Sequence, residues 1–164
     1  MMKFTSYITE SMRKKYVAVQ YDEDTQIMLR NWCRKNGFSL TTKFDGTEQK
    51  EEDFDFHTTI FFTTSEHDLK NGLSDVDVSG KIKAVGFDLL GEDHDIPVLK
   101  VEGEGLRALR KKYEDMGMKD AWEDWKPHIN LSYDRQNVPD VRRIKPPAFP
   151  ISFDKIKIDD AAEL

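Results

Sequence analysis

The sequence predicts an α+β fold made of two pseudo-symmetric lobes. Three observations support this prediction: a histidine that alternates with apolar residues in two short segments, an amphipathic helix pattern ahead of each segment, and a strand pattern ahead of each helix. The order of strand, helix and histidine strand therefore occurs twice, at about 16–62 and at about 96–133. The two halves share few identical residues, so the repeated order points to an ancient duplication.

The first half begins with a strand at 16–21, which alternates and is rich in Val and Tyr. Asp22 follows as a candidate N-cap, and the spacing of apolar residues at i, i+1, i+4 and i+5 predicts a helix over 23–35. Gly37 supplies the end of this helix. The acidic stretch 45–55 is typical of a solvated loop and leads to the first histidine strand. The apolar residues of the helix are Met28, Leu29, Trp32 and Cys33.

The second half contains predicted strands at 80–90 and 96–101, followed by a second amphipathic helix that ends at Gly117. The second histidine strand is predicted at 127–133. A proline-rich turn then leads into a closing strand at 151–158. The apolar stripe of the second helix consists of Leu106, Leu109, Tyr113 and Met116.

Composition predicts one domain over residues 1–164. The chain has 164 residues with 38% hydrophobic content, enough to bury a core without disulfides or a structural metal. Its single cysteine, Cys33, cannot form an intramolecular disulfide, and no spaced Cys/His cluster typical of zinc sites is present. We therefore expect a reducing intracellular compartment, no metal site and no cofactor.

Charge and hydropathy argue against two classes of partner, long nucleic acids and membranes. A formal net charge of −6 argues against sequence-independent binding to long nucleic acid, although a small anionic substrate in a locally basic cleft is compatible with it. The amino terminus has no apolar run of signal-peptide length, and no stretch of the sequence approaches the roughly 20 apolar residues that span a bilayer. We expect a soluble, cytoplasmic protein.

Each histidine strand has one apolar side and one polar side, since successive side chains of a strand point to opposite faces. In the first segment the apolar side is predicted to carry Phe54, Phe56, Thr58, Ile60 and Phe62, and the other side His57, Thr59 and Phe61. In the second segment the corresponding sets are Pro127, Ile129, Leu131 and Tyr133, and His128, Asn130 and Ser132.

The polar sides suit phosphodiester cleavage, which needs one group to take a proton from the attacking oxygen and another to give one to the leaving oxygen. Histidine performs both tasks near neutral pH, so His57 and His128 are the candidate acid/base pair. Thr59 and Asn130, each two residues beyond a histidine, can donate a hydrogen bond to a nonbridging phosphate oxygen. Ser132 is a further candidate on the same side.

Other histidines and aromatic residues have ordinary interpretations. A lone histidine in a strand is more often a surface or core residue than a catalyst, and only the matched pair favours catalysis. His67 and His94 stand in polar, acidic segments, so we expect both to be exposed. Trp122 and Trp125 either line the site or pin a short helix beside it.

These residues resemble the 2H phosphoesterase superfamily, whose two lobes form a central groove between antiparallel sheets. Within it the chain most resembles the phage anti-CBASS cyclic-oligonucleotide phosphodiesterases. The motif match is His57-Thr58-Thr59-Ile60 and His128-Ile129-Asn130-Leu131. Supporting features are Phe54-Asp55-Phe56, Lys126-Pro127-His128 and Lys14-Lys15-Tyr16-Val17.

The resemblance implies a metal-independent reaction in which a ribose 2′-OH attacks the adjacent 3′–5′ phosphodiester of a cyclic oligonucleotide, so that a phage evades host CBASS immunity. One histidine would be the base and the other the acid; the motifs do not assign the roles. Asn130 departs from the family pattern, which has Thr or Ser there. An amide still donates a hydrogen bond, but it cannot relay a proton as a hydroxyl can.

Tyr16 is the first candidate to stack on a substrate base and Phe87 the second, since base–aromatic stacking is worth about 1 to 3 kcal/mol. Two alternatives remain open: a phosphodiesterase for 2′–5′ oligonucleotides or RNA ends with 2′,3′-cyclic phosphates, and a module that sequesters a nucleotide without cleaving it.

Overall fold

A computed structural model describes residues 15–63, 79–115 and 124–160. Within these ranges the chain forms six strands and two helices. The strands are β1 (Lys15–Tyr21), β2 (His57–Thr63), β3 (Gly80–Leu90), β4 (Ile96–Glu102), β5 (His128–Asn130) and β6 (Ile151–Asp160), and the helices are α1 (Glu23–Lys35) and α2 (Glu104–Asp115). None of the helices in these ranges is long and apolar enough to cross a membrane.

The strands form one antiparallel sheet in the order β2-β1-β6-β3-β4-β5. Each half of the chain supplies an edge histidine strand and the strand beside it. The two groups of three strands join through a short β3–β6 ladder, in which Gly80 pairs with Phe153 and Ile82 with Ile151. The predicted α+β fold with two pseudo-symmetric halves is confirmed.

Local sequence explains where the helices lie. Asp22 caps α1 by accepting a hydrogen bond from the Thr25 amide at 2.9 Å, and Gly37 adopts a positive φ of 85° just after the helix. The buried residues of α2 follow the predicted stripe. Its predicted continuation to Met116 and Gly117 lies outside the described residues.

The hydrophobic core lies between the two helices and one face of the sheet. Alternation along β1 turns Val17, Val19 and Tyr21 toward this core, and their counterparts in the second half include Leu99 and Ile129. The opposite face of the sheet is therefore left for polar side chains.

A β-bulge in β2 corrects the predicted facing of its last residues. Thr59 pairs with Ala18 but Phe61 pairs with Val17, so Ile60 is an extra residue without a register partner. Phe61 consequently joins the core, although strict alternation predicted it on the histidine side. Phe62, predicted on the core side, instead pairs with Tyr16 on the opposite face.

The second histidine strand is shorter than predicted. β5 contains only three residues, and the ladder continues for one more bond, from the Leu131 amide to the Pro97 carbonyl at 2.9 Å. Beyond that point regular alternation ends, because Leu131 and Ser132 are both completely buried.

The sheet is strongly curved, since its edge strands β2 and β5 contact each other. Five inter-strand spacings would separate the edges of a flat sheet by about 24 Å. Side chains from the second half hold the edges together: Trp125 Nε1 donates to the Thr59 carbonyl at 2.9 Å, and Arg110 donates to the Ile60 carbonyl. The Arg110 guanidinium also lies over the rings of Phe61 and Trp125, at 4.5 and 4.7 Å.

Candidate active site

Both motif histidines lie on the face of the sheet that is turned away from the helices, here called the histidine face. His57 pairs with Gln20 of β1, and His128 pairs with Lys100 of β4. Register places these residues on one continuous face. The histidine face includes Tyr16, Gln20, His57, Thr59, Asp88, Lys100, His128, Asn130 and Lys157.

The two imidazoles are held in the same way. Nδ1 of His57 contacts the Asp55 carbonyl at 3.1 Å, and Nδ1 of His128 contacts the Lys126 carbonyl at 2.7 Å. A carbonyl oxygen only accepts hydrogen bonds, so each Nδ1 carries the proton. Nε2 is therefore the nitrogen through which each ring can take up or release a proton.

Burial lowers the pKa of both histidines. For His57, the Asp55 carboxylate and the hydrogen bond to the Asp55 carbonyl oppose this fall in pKa, whereas Lys157 and His128 add to it. For His128, the Lys126 carbonyl and Asp88 oppose the effect of burial on the pKa. Because a charge on His128 lowers the pKa of His57, protonation of one ring disfavours protonation of the other.

The polar residues two positions beyond the histidines occupy equivalent places. Thr59 pairs with Ala18 and Asn130 pairs with Val98, so both are on the histidine face. Nδ2 of Asn130 donates to the Tyr133 hydroxyl at 3.0 Å. This bond orients the amide and uses one of its two hydrogens, which leaves the other able to meet a phosphate oxygen.

Tyr16 lies beside the first histidine, as predicted from alternation in β1. Its ring stacks on His57 with centroids 6.0 Å apart and an interplanar angle of 23°. The structure thus brings five predicted residues to the histidine face: Tyr16, His57, Thr59, His128 and Asn130.

Two predicted substrate-binding residues lie elsewhere. Phe87 pairs with Leu99 on the helix side of the sheet and stacks on Trp32 with centroids 6.0 Å apart, so its expected place beside the substrate is wrong. The Ser132 side chain is completely buried, and its hydroxyl donates to the Ser39 carbonyl at 2.6 Å. Its predicted position on the histidine face is also wrong, because regular strand alternation ends after Leu131.

Sequence reasoning missed a polar cluster beside His57. Nε2 of Gln20 donates to Oδ1 of Asp55 at 2.8 Å, and Nζ of Lys157 lies 3.6 Å from Oδ2 of the same carboxylate. The three residues line a cavity of about 600 Å³. Alternation in β1 and β6 predicts the facing of Gln20 and Lys157, but no local pattern indicates that they meet.

Tyr133 was missed as well, because alternation predicted it on the core side. Its ring does pack against Phe54, with centroids 5.5 Å apart, yet its hydroxyl reaches Asn130.

The remaining predictions can be placed for part of the chain. His94 is exposed in the turn before β4, as predicted, whereas His67 and Trp122 lie outside the described residues. Trp125 braces β2 through the Thr59 carbonyl. In the part of the chain that the structure describes, no three His, Cys, Asp or Glu side chains are grouped so as to hold a metal ion.

Comparison with solved structures shows the fold. The chain is similar to E. coli LigT complexed with 3′-AMP, with 15% identity, 90% of this chain and 87% of that chain covered, and a TM-score of 0.57. It is similar to a structure described as a phosphoesterase, with 13% identity, coverage of 90% and 88%, and a TM-score of 0.52. For E. coli LigT complexed with phosphate, the identity is 14%, the coverage 90% and 86%, and the TM-score 0.52. These similarities show that the chain has a LigT-like α+β fold, in agreement with the predicted fold class.

Sequence comparison shows the family. No curated protein matches the chain. The family model described as "Anti-CBASS protein Acb1" matches residues 13–162, which is nearly the whole sequence and includes both histidine motifs. The protein therefore belongs to the Anti-CBASS protein Acb1 family and is a phosphodiesterase that degrades a small cyclic nucleotide signal.

Proposed function

We propose that His57 and His128 are the acid/base pair of a metal-independent phosphodiesterase that opens 3′–5′ bonds of cyclic di- and oligonucleotides. The main support is the matched pair of Nδ1 hydrogen bonds, to the carbonyls of Asp55 and Lys126. These bonds fix both ring orientations and leave Nε2 of each ring for proton transfer.

The proposed reaction needs one neutral and one protonated ring. The 2′-OH next to the scissile phosphate attacks phosphorus and gives its proton to the neutral imidazole, while the leaving 5′ oxygen takes the proton of the imidazolium. The bond from phosphorus to the leaving oxygen breaks as the bond to the 2′ oxygen forms. Thr59 and Asn130 donate hydrogen bonds to the nonbridging oxygens as their charge increases, and Tyr16 stacks on a base.

The proposed substrate also fits the biology of the family. Loss of a host cyclic oligonucleotide signal would let a phage evade CBASS immunity, and this reaction would take place in the host cytoplasm. A reducing compartment is compatible with a chain that has one cysteine, and Cys33 is buried.

The test is incubation with 3′,3′-linked cyclic dinucleotides and cyclic trinucleotides in excess EDTA, with products resolved by mass spectrometry. The native protein is expected to linearise at least one of them catalytically. His57→Ala and His128→Ala should each lower kcat by about 10² to 10⁴-fold, because each removes one proton transfer. His94→Asn is the matched control, since His94 is exposed outside the site and Asn tolerates its φ of 52°.

Full turnover by either motif variant would refute the acid/base pair. Loss of activity in EDTA that returns with a divalent metal would refute metal independence. Cleavage restricted to 2′–5′ oligonucleotides or 2′,3′-cyclic phosphates would refute the 3′–5′ assignment, and retention of intact ligand would indicate sequestration.

A further inference from the structure

The surroundings of the two histidines differ although their backbone hydrogen bonds match. The residue two positions before His57 is an aspartate, whereas the one two positions before His128 is a lysine. Oδ2 of Asp55 lies 3.8 Å from Nδ1 of His57. Among the described residues, no carboxylate is that close to a nitrogen of His128, although the exposed Asp88 acts to raise its pKa.

The Asp55 carboxylate is held in place through its other oxygen, Oδ1. Oδ1 accepts hydrogen bonds from Nε2 of Gln20 at 2.8 Å and from Nε2 of Gln26 at 3.4 Å. Because Gln20 comes from β1 and Gln26 from α1, the carboxylate is fixed by two elements other than its own. Gln26 also binds the backbone of Phe56 through both its amide nitrogen and its oxygen, which holds the segment leading to His57 in place.

Among the described residues, two cationic or potentially cationic groups lie near the second carboxylate oxygen. Oδ2 of Asp55 is inaccessible to solvent and accepts no hydrogen bond among the described residues. Its neighbours are Nζ of Lys157 at 3.6 Å and Nδ1 of His57 at 3.8 Å. A desolvated carboxylate oxygen is costly unless positive charge compensates it, so this oxygen favours a proton on His57.

We propose that Asp55 is a positioning residue for His57: its anchored carboxylate orients the imidazole and stabilises the imidazolium that forms during turnover, while Lys157 balances that carboxylate. The proposal rests on the acid/base role of His57 proposed above. It makes the first histidine electrostatically distinct from the second.

The expected pH dependence follows from the charged and titratable groups that act on the pKa of His57. Asp55 raises the pKa of His57, while Lys157 from β6 and His128 from β5 lower it. Removal of Asp55 or of Lys157 should therefore move the pKa of His57 in opposite directions. Nonspecific disruption of the site would not shift the pKa of His57 in opposite directions in the two variants.

The test is an NMR titration of the histidine rings in the full-length protein. The chain has four histidines, so His57→Ala identifies the signal of His57. Asp55→Asn should lower the pKa of His57, and Lys157→Gln should raise it. Asp53→Asn is the matched control, because Asp53 is an exposed acid two residues before Asp55 and lines the same cavity. It should leave the pKa unchanged.

The same variants should shift one limb of the kcat–pH profile in the direction of the NMR change. The limb that moves identifies His57 as base if it is the acidic limb and as acid if it is the alkaline limb. An unchanged or raised pKa of His57 in Asp55→Asn would overturn the proposal. If that variant does not fold, an unchanged or lowered pKa in Lys157→Gln would overturn it.

The titration needs no turnover, so the two proposals fail separately. If the pKa of His57 shifts in opposite directions in Asp55→Asn and Lys157→Gln but the His57→Ala variant keeps full activity, the effect of Asp55 on the ring stands. The catalytic role of His57 is then refuted. Loss of activity in His57→Ala without the opposite shifts would refute only the role of Asp55.

Discussion

The two threonines after His57 have opposite environments although they are adjacent in the chain. The Thr58 hydroxyl is buried and lies 2.6 Å from the hydroxyl of Tyr21, on the helix side of the sheet. Thr59 is partly buried on the histidine face. Substitutions at these two adjacent positions therefore test the stability of the protein and its catalysis separately.

Thr58→Val should lower the free energy of unfolding by about 1–3 kcal/mol, because it leaves the buried Tyr21 hydroxyl without this partner. It should leave kcat unchanged. Thr59→Val should lower kcat by about 10²-fold, as expected on removal of one donor to the developing phosphate charge, with little change in stability. Chemical denaturation and steady-state kinetics of both variants check this. A large loss of kcat in Thr58→Val would contradict the assignment of faces.

At the scale of elements, the site depends on contact between the two ends of the sheet. β2 and β5 are edge strands, and Trp125 connects them through the Thr59 carbonyl at 2.9 Å. The bond acts on the backbone of a proposed catalytic strand, so it should affect both stability and activity.

Trp125→Phe keeps an aromatic ring beside Arg110 and removes the hydrogen bond. It should lower the free energy of unfolding by about 1 kcal/mol and also lower kcat/KM, since the backbone of Thr59 is less firmly held. Trp32→Phe is the matched control, because Trp32 stacks on Phe38 and Phe87 on the helix side. It should affect stability alone. Equal losses of kcat/KM in the two variants would argue against a role of the Trp125 hydrogen bond in holding the site.

At the scale of the whole molecule, the histidine pair links stability to pH. Burial lowers the pKa of His57 and of His128 in the folded state, whereas an unfolded chain has histidine pKa values of about 6.5. As the pH falls below about 6.5, the unfolded state takes up protons that the folded state does not bind. The stabilisation is therefore present above the unfolded pKa and is lost as the pH falls through the folded values.

Urea unfolding at about pH 7.5 and about pH 5.5 should show a larger loss of stability for the native protein than for a double variant with His57→Gln and His128→Gln. Carboxylates that titrate in this range are common to both proteins and cancel in the comparison. Equal losses would mean that the two histidines are not desolvated in the folded protein.

Local sequence patterns are sufficient to predict the α+β class, the limits of α1, the facing of β1 and the paired histidine motifs. These features depend on local periodicity, on a capping residue such as Asp22 and on composition, all of which act over a few residues. The same local patterns predicted that Tyr16, Thr59 and Asn130 share a face with the histidines.

Which side chains from distant segments come into contact depends on the tertiary structure. The bulge at Ile60 reverses the facing of Phe61 and Phe62 because β1 pairs around the extra residue. The Ser132 hydroxyl lies away from the site because it donates a hydrogen bond to the carbonyl of Ser39, which is 93 residues away in the chain. The cluster of Asp55 with Lys157 joins the segment before β2 to β6, the last strand among the described residues. Contacts between distant segments depend on strand register and sheet curvature, which no local spacing encodes.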